Sequence, residues 1–302
     1  MKNILITGGS GLLGSNIAKI AVSKFNVFAT YNSHKVNIEK VNFLQADLIN
    51  KENISRIKKI KPDFIINCAA LTNLDYCQEH PAEAYKYNVT LSINIAEAAR
   101  DMGAYLIHIS TDNVFNGQKG NYKEEDTTGP VNVYGETKLE AEKKVLSFCP
   151  QACIVRTNIY GWNKLKKLSL AEWMLGELRN SREFPAFKDA YFSPILVNHL
   201  IGILFELEEK KYSGILHVAA SESCSKLDFA YAIAEVFNIS KNLIKPVNIS
   251  EAKLKALRPK NLSLDVSRAE EILNHRLPDV REGLKEMKAL EESGYVRKLK
   301  DE

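Results

Sequence analysis

The first two hundred residues alternate short apolar runs with segments of helical period. Ile4-Leu5-Ile6-Thr7 is a strand-like run closed by Gly8-Gly9. Beyond it Leu13, Ile17, Ile20 and Ala21 fall at i, i+4, i+7 and i+8, one face of a helix. Val27-Phe28-Ala29-Thr30 and Val41-Asn42-Phe43-Leu44 predict a second and a third strand, and residues 53–60 a short helix stopped by Pro62. Phe64-Ile65-Ile66-Asn67-Cys68 predicts a fourth strand, residues 82–102 a long helix ended by Gly103, and Leu106-Ile107-His108-Ile109 a fifth strand. Strands apolar on both faces and separated by helices belong in a parallel sheet covered on both sides. The handedness of such crossovers selects a doubly wound α/β fold of the Rossmann type.

Past Trp162 the alternation loosens. Residues 152–156 and 214–218 still read as strands of the sheet. A helix over residues 227–237 is opened by Ser225-Lys226-Leu227-Asp228, and Ser267-Arg268-Ala269-Glu270 has the same capping-box form. The expected division is a dinucleotide-binding domain of residues 1–160 plus about 195–220. A smaller interleaved substrate domain would hold about 161–194 and 221–302. The basic end, Arg297 to Lys300, reads as a solvated tail.

Composition narrows the function classes. A net charge of +4 is too mild to argue for nucleic acid without a clustered basic face. The 5 cysteines include no C-x-x-C pair and read as reduced thiols. The six histidines are scattered without metal-ligand spacing, so no metal site is expected, and His108 in mid-strand reads as a satisfied core residue. No run approaches the ~18 apolar residues of a membrane span. The start of the chain lacks the pattern of a signal peptide. A soluble, cytoplasmic protein without a membrane partner is expected.

The chemistry begins at Thr7-Gly8-Gly9-Ser10-Gly11-Leu12-Leu13-Gly14. Gly8 permits a tight turn, Gly11 lets backbone approach a pyrophosphate, and Gly14 lets the helix lie close to the sheet. The amides of Leu12 and Leu13 open the helix, where unpaired N–H groups and the dipole favour phosphate. The second strand runs into Asn32, His34 and Lys35, with no acid until Glu39. That favours NADP(H), since polar donors and Lys35 would meet a 2′-phosphate; a solvated loop that also takes NAD(H) fits the same residues. Asp47 and Leu48 follow the third strand, at the place for an adenine edge.

Tyr134-Gly135-Glu136-Thr137-Lys138 sets a tyrosine and a lysine at i and i+4 on one helix face. An unperturbed tyrosine titrates near ~10, and a cation one turn away would lower that value and make it a proton donor near neutrality. Ser110-Thr111-Asp112 follows the fifth strand at the carboxyl edge of the sheet, so a hydroxyl there can orient a substrate carbonyl beside Tyr134.

These residues resemble the extended short-chain dehydrogenase/reductases. The marks occur in order: Gly8/Gly11/Gly14, Asp47, Asn67-Cys68-Ala69-Ala70, Ser110-Thr111, Glu125 with Pro130, and Tyr134-x-x-x-Lys138. Within that family the chain is most similar to the dTDP-4-dehydrorhamnose reductases. The similarity lies in residues 69–75, 110–117 and 132–138, in Arg258-Pro259-Lys260-Asn261 and in Leu264-Asp265. The resemblance implies reduction of the C4 keto group of an NDP-4-keto-6-deoxy sugar. Tyr134 would be the general acid, Lys138 its modulator and ribose anchor, and Thr111 the carbonyl-orienting hydroxyl. It further implies cofactor contacts at Ala69 and Ala70, substrate contacts at Thr72, Asn113 and Arg258, and a homo-oligomer, expected as a dimer. Asn88 matches an asparagine that some members use in a proton relay. Trp162 fits either stacking on the substrate or plain core.

Two departures bear on the sugar. Asn113 stands where the family usually has tyrosine, and the segment from Ser193 to Val197 diverges. Two alternatives stay open: a dinucleotide-binding regulatory subunit such as the β subunit of methionine adenosyltransferase, and a nucleotide-sugar epimerase. Asn113 after Asp112 counts against a dehydratase, which often needs an Asp-Glu pair there.

Overall fold

The computed structural model describes residues 1–301. The first half follows the expected alternation: β1 (Asn3–Thr7), α1 (Leu12–Ala21), β2 (Asn26–Tyr31), β3 (Val41–Gln45), α2 (Lys51–Lys58) and β4 (Phe64–Asn67). Next come α3 (Leu74–Glu79), α4 (Pro81–Tyr85), α5 (Leu91–Met102), β5 (Tyr105–Thr111), α6 (Val133–Phe148) and β6 (Cys153–Thr157). A last strand, Gly214–His217, completes a seven-stranded sheet in the order Gly214–His217, β6, β5, β4, β1, β2, β3. Every pairing in it is parallel. The strand order reverses between β1 and β4, where Thr7 is in register with Asn67. In doubly wound sheets the crevice for ligand opens at the carboxyl ends of such a strand pair.

Both faces of the sheet are covered, which is why β4 is buried along its whole length. Six more helices follow: α7 (Leu170–Arg179), α8 (Val197–Lys210), α9 (Lys226–Val236), α10 (Ser267–Leu273), α11 (Val280–Glu292) and α12 (Tyr295–Asp301). Apolar residues of α1, α8 and α10 fill one side of the sheet, those of α2, α5 and α6 the other. A separate core joins α7, α9, α11 and α12 into a smaller layer. Among the described residues no helix is long and apolar enough to cross a membrane.

Four expectations need correction. The helix of residues 82–102 is not continuous: a π turn, Lys86–Thr90, separates α4 from α5. Gly103 does end α5, in the left-handed conformation with φ 65°. The segment from Leu262 to Leu277 packs into the core of the large sheet, not with the smaller layer, because Leu264, Ala269 and Leu273 bury their side chains there. Ser267 and Glu270 do not form a capping box, since Ser267 donates to Asp265 and Glu270 accepts the amide of Leu277. Ser225 and Asp228 do form theirs. The basic end is no solvated tail: residues 295–301 are helical, and Leu299 is buried in the smaller core.

Candidate active site

The glycine-rich turn is shaped by close approach. Gly8 has φ +64°, and a Cβ on it would stand 3.0 Å from the backbone of Ala69, so the turns after β1 and β4 touch. A Cβ on Gly14 would meet the Gly8 carbonyl oxygen at 2.3 Å. Gly11 is the exposed N-cap of α1, with no side chain capping the helix. The first-turn amides of Leu12 and Leu13 are therefore left for an anionic ligand. Leu13 itself is buried in the sheet core, so only its backbone can serve that purpose. The cradle fits the pyrophosphate of a dinucleotide.

The remaining cofactor candidates follow the ends of β2, β3 and β4. Asn32 is exposed just past β2, and its carbonyl accepts from Gln45. One Asp47 carboxylate oxygen accepts the amide of Ile49 at 3.2 Å, while the Leu48 side chain is core. Ala69 donates its amide to Thr7 Oγ1 at 3.1 Å, and Ala70 follows it in the same turn.

Tyr134 lies in the first turn of α6, whose N-cap Asn132 accepts the amide of Gly135 at 2.9 Å. Gly135 lets the helix close on β5's exit, because a Cβ there would lie 2.2 Å from the Asn113 carbonyl. Tyr134 is only 8% exposed. Burial holds its pKa above the ordinary value, the nearby Thr111 hydroxyl pulls the other way, and the Asp112 carboxyl adds to the rise. Lys138 follows one turn on along α6. Its Nζ donates to the Ile109 carbonyl at 2.7 Å and lies 3.4 Å from His108 Nε2. Burial, opposed by Glu142 and Cys68, pulls the amine down to about 8.

Thr111 donates to Asp112 Oδ1 at 3.0 Å and accepts the Asn113 amide at 3.2 Å. The Asn113 side chain donates to Asp112 Oδ1 at 2.8 Å, and Asn158 to Oδ2 at 2.6 Å. Asn113 therefore braces the acid next to Thr111. Beneath β5, Ser110 donates to Glu142, which Arg156 of β6 grips through two nitrogens at 2.7 to 3.2 Å. Asn88, buried in the π turn, bonds both backbone groups of Leu71 and the Thr137 hydroxyl. It ties the turn after β4 to α6.

The substrate candidates do not all converge. Thr72 is exposed, facing Lys167 Nζ at 3.5 Å. Arg258 lines a cleft of about 610 Å³ with Asn116, Val131, Asp189, Tyr191 and Lys260. Its guanidinium bonds Asp75 at 3.0 Å and the Ala256 carbonyl at 2.8 Å. The cleft adjoins the start of α6, where Asn132 donates to Leu257 O at 2.9 Å. Trp162 is core, not a stacking platform: its indole N–H donates to Met287 O at 2.8 Å inside the smaller layer. Glu125 is on the surface, paired with Arg268.

One residue at the site had no sequence signal of its own. Lys226 opens α9 and rests 3.2 Å from the centroid of the Phe192 ring. Burial, opposed by Asp112 and Cys224, brings its pKa to about 8. The capping box around it is legible in sequence, but only the fold turns that box toward Asp112.

The chain is similar to known proteins along nearly its whole length. The family model described as the RmlD substrate binding domain matches residues 1–292. The β subunit of methionine adenosyltransferase 2 from Bos taurus is 33% identical over 94% of this chain and 86% of its own. A dTDP-4-dehydrorhamnose reductase from Aggregatibacter actinomycetemcomitans is 31% identical over 97% of this chain and all of its own. Among solved structures, a hypothetical dTDP-4-dehydrorhamnose reductase from Sulfolobus tokodaii has 36% identity and TM-score 0.82, covering 93% of this chain and 98% of the other. The Bacillus anthracis dTDP-4-dehydrorhamnose reductase, solved in complex with NADP, has 27% identity and TM-score 0.83, covering 95% and 99%. A glycine cradle at the strand reversal, a buried tyrosine beside a strand-end threonine and a match over nearly the whole length lead to one conclusion: this chain belongs to the RmlD substrate-binding domain family.

Proposed function

We propose that the protein is an NAD(P)H-dependent reductase of the C4 keto group of an NDP-4-keto-6-deoxy sugar. The observation that carries this reading is the burial of Tyr134 at the head of α6, packed against the Thr111 end of β5 at the carboxyl edge of the sheet. The turn that would hold a dinucleotide opens at that same edge. A bound nicotinamide supplies the hydride. Tyr134 gives its phenolic proton to the carbonyl oxygen, and Thr111 orients that oxygen by hydrogen bonding. Burial keeps the phenol protonated until it is needed, and a charged Lys138 brought near would stabilise the phenolate left behind.

NADP(H) is the favoured cofactor, because exposed Asn32 and Lys35 stand where an NAD-selective acid would repel a 2′-phosphate. Arg258 and Thr72 are assigned to the substrate, along with Asn113 acting through Asp112. The assembly is assigned as a homodimer, to be read by light scattering. Tyr134→Phe tests the chemistry: turnover should fall by on the order of 10²–10⁴ while dinucleotide binding stays. A variant with near-wild-type rates would remove Tyr134 from its role.

A second reading is favoured by one observation. The methionine adenosyltransferase β subunits match over nearly the same length as the reductases. A regulatory partner would bind dinucleotide without turnover and form a stable hetero-complex. An epimerase would instead purify with oxidised cofactor tightly held.

A further inference from the structure

A buried line of hydrogen bonds runs from the glycine-rich turn to Lys138, and its polarity can be read from one end. The Ala69 amide donates to Thr7 Oγ1 at 3.1 Å, which leaves the Thr7 hydroxyl proton to go on to Asn67 Oδ1 at 2.5 Å. The other end of the Asn67 amide, Nδ2, then faces His108 Nδ1 at 2.9 Å. An amide nitrogen can only donate, so His108 Nδ1 must be the acceptor and the ring proton must sit on Nε2. The group facing Nε2, at 3.4 Å, is the Nζ of Lys138. An ammonium has no lone pair to receive that proton, whereas an uncharged amine has one. The amine still keeps a hydrogen for the Ile109 carbonyl at 2.7 Å.

We propose that His108 is a positioning residue for Lys138: fixed as the Nε2–H tautomer by Asn67, it donates to an uncharged lysine amine and stores Lys138 neutral in the cofactor-free site. Lys138 must then gain a proton to act as a cation toward a dinucleotide or the Tyr134 phenolate. Proton uptake thereby becomes part of cofactor binding. The proposal rests on the assignment of Lys138 to the cofactor side made above.

The surroundings support storage as the neutral form. His108 and Asn67 are almost wholly buried, and burial holds His108 neutral. Three ionisable groups besides His108 face or approach the lysine. Glu142 lies one turn on along α6, and its carboxylate is already engaged by Arg156 and Ser110. The Cys68 thiol, after β4, is kept protonated by burial. Tyr134 lies one turn back, its phenol likewise kept protonated by burial. None of the three presents a free negative charge that would hold Lys138 protonated.

Two measurements on the full chain test this. Histidine-labelled ¹⁵N NMR, with His108 assigned through His108→Gln, should show Nε2–H and no titration between about pH 6 and 9. An Nδ1–H or charged His108 in that range overturns the proposal. Calorimetry of NADPH binding in buffers of differing ionisation enthalpy should show about one proton taken up per cofactor near pH 9, fading below about pH 7. In His108→Met the uptake should move to higher pH by at least about half a unit, because the neutral amine loses its donor. His108→Gln, whose amide can donate, should return it toward wild type. No uptake in the wild type, or an unmoved curve in His108→Met, contradicts the proposal. Should His108→Met fail to fold, the wild-type tautomer decides alone. Neither readout involves turnover. Inactivity on every sugar would therefore count against the reductase and leave the lysine store standing. An active reductase with Nδ1–H would do the reverse.

Discussion

The carbonyl oxygen of Gly8 occupies the place where a side chain on Gly14 would begin, 2.3 Å from an ideal Cβ. Helix α1 therefore closes on the turn that precedes it, and its first amides point into the space where phosphate would lie. Gly14→Ala should force the helix off the turn, costing about 1–3 kcal/mol as an overpacking change. NADPH affinity should fall with it. Thermal unfolding together with fluorescence titration of NADPH reads both losses; a variant that keeps both values would show that the cradle can open without consequence.

Glu142 and Arg156 form an ion pair buried under the end of β5, each side chain 2% exposed. Removing one partner leaves a charge without compensation. Arg156→Leu should cost about 3–5 kcal/mol, and the double change Glu142→Leu with Arg156→Leu should cost less than the single one. Urea unfolding of the three proteins tests the order. A double variant less stable than Arg156→Leu would mean that Ser110 depends on Glu142 more than Glu142 depends on Arg156.

Lys226 reaches the acid beside Thr111 from the smaller layer. Asp112 is pushed up by burial, and Asn158 and Lys226 are the largest influences holding it down. Lys226→Met should raise the carboxyl further and loosen the bracing of Thr111. The expected result is a KM for sugar raised several-fold with NADPH affinity unchanged. Equal loss of both would place Lys226 in general packing.

Acid stability should be governed in part by His217. Burial and the nearby Arg156 pull its pKa down to about 3, and Nε2 has no hydrogen-bond partner. The unfolded chain takes up a proton near ~6.5 while the folded chain does not, so stability is full above that value and falls as pH drops toward 3. About 3 kcal/mol should be lost between pH 6.5 and 4 through this one group. His217→Gln should flatten that part of the pH–stability curve; an unchanged slope would assign the loss to other groups.

The sheet was legible because its central strands are buried on both faces and write apolar runs, as Phe64 to Ile66 does. The cradle was legible because three glycines stand at fixed spacing, and at Gly8 and Gly14 a side chain would strike backbone. What escaped the sequence depends on contacts between distant segments. Trp162 looks alike as a core residue or a stacking surface until Met287, 125 positions on, accepts its N–H. The π turn at Asn88 carries no composition signal, and the groups Asn88 bonds there, the Leu71 backbone and Thr137, are distant in sequence. Ser267 prefers the nearer Asp265 to a capping box, a local competition that the spacing alone does not decide. The site of Lys138 follows the same rule. Its i+4 spacing placed it on the face of Tyr134, but burial and the Ile109 carbonyl set where its amine rests.

The most direct test of the account is oxidation of NADPH and NADH against a panel of freshly generated NDP-4-keto-6-deoxy sugars. The account predicts turnover with at least one sugar, faster with NADPH, and its loss in Tyr134→Phe. Tight dinucleotide binding with no turnover across the panel would contradict it and move the assignment to a non-catalytic partner protein.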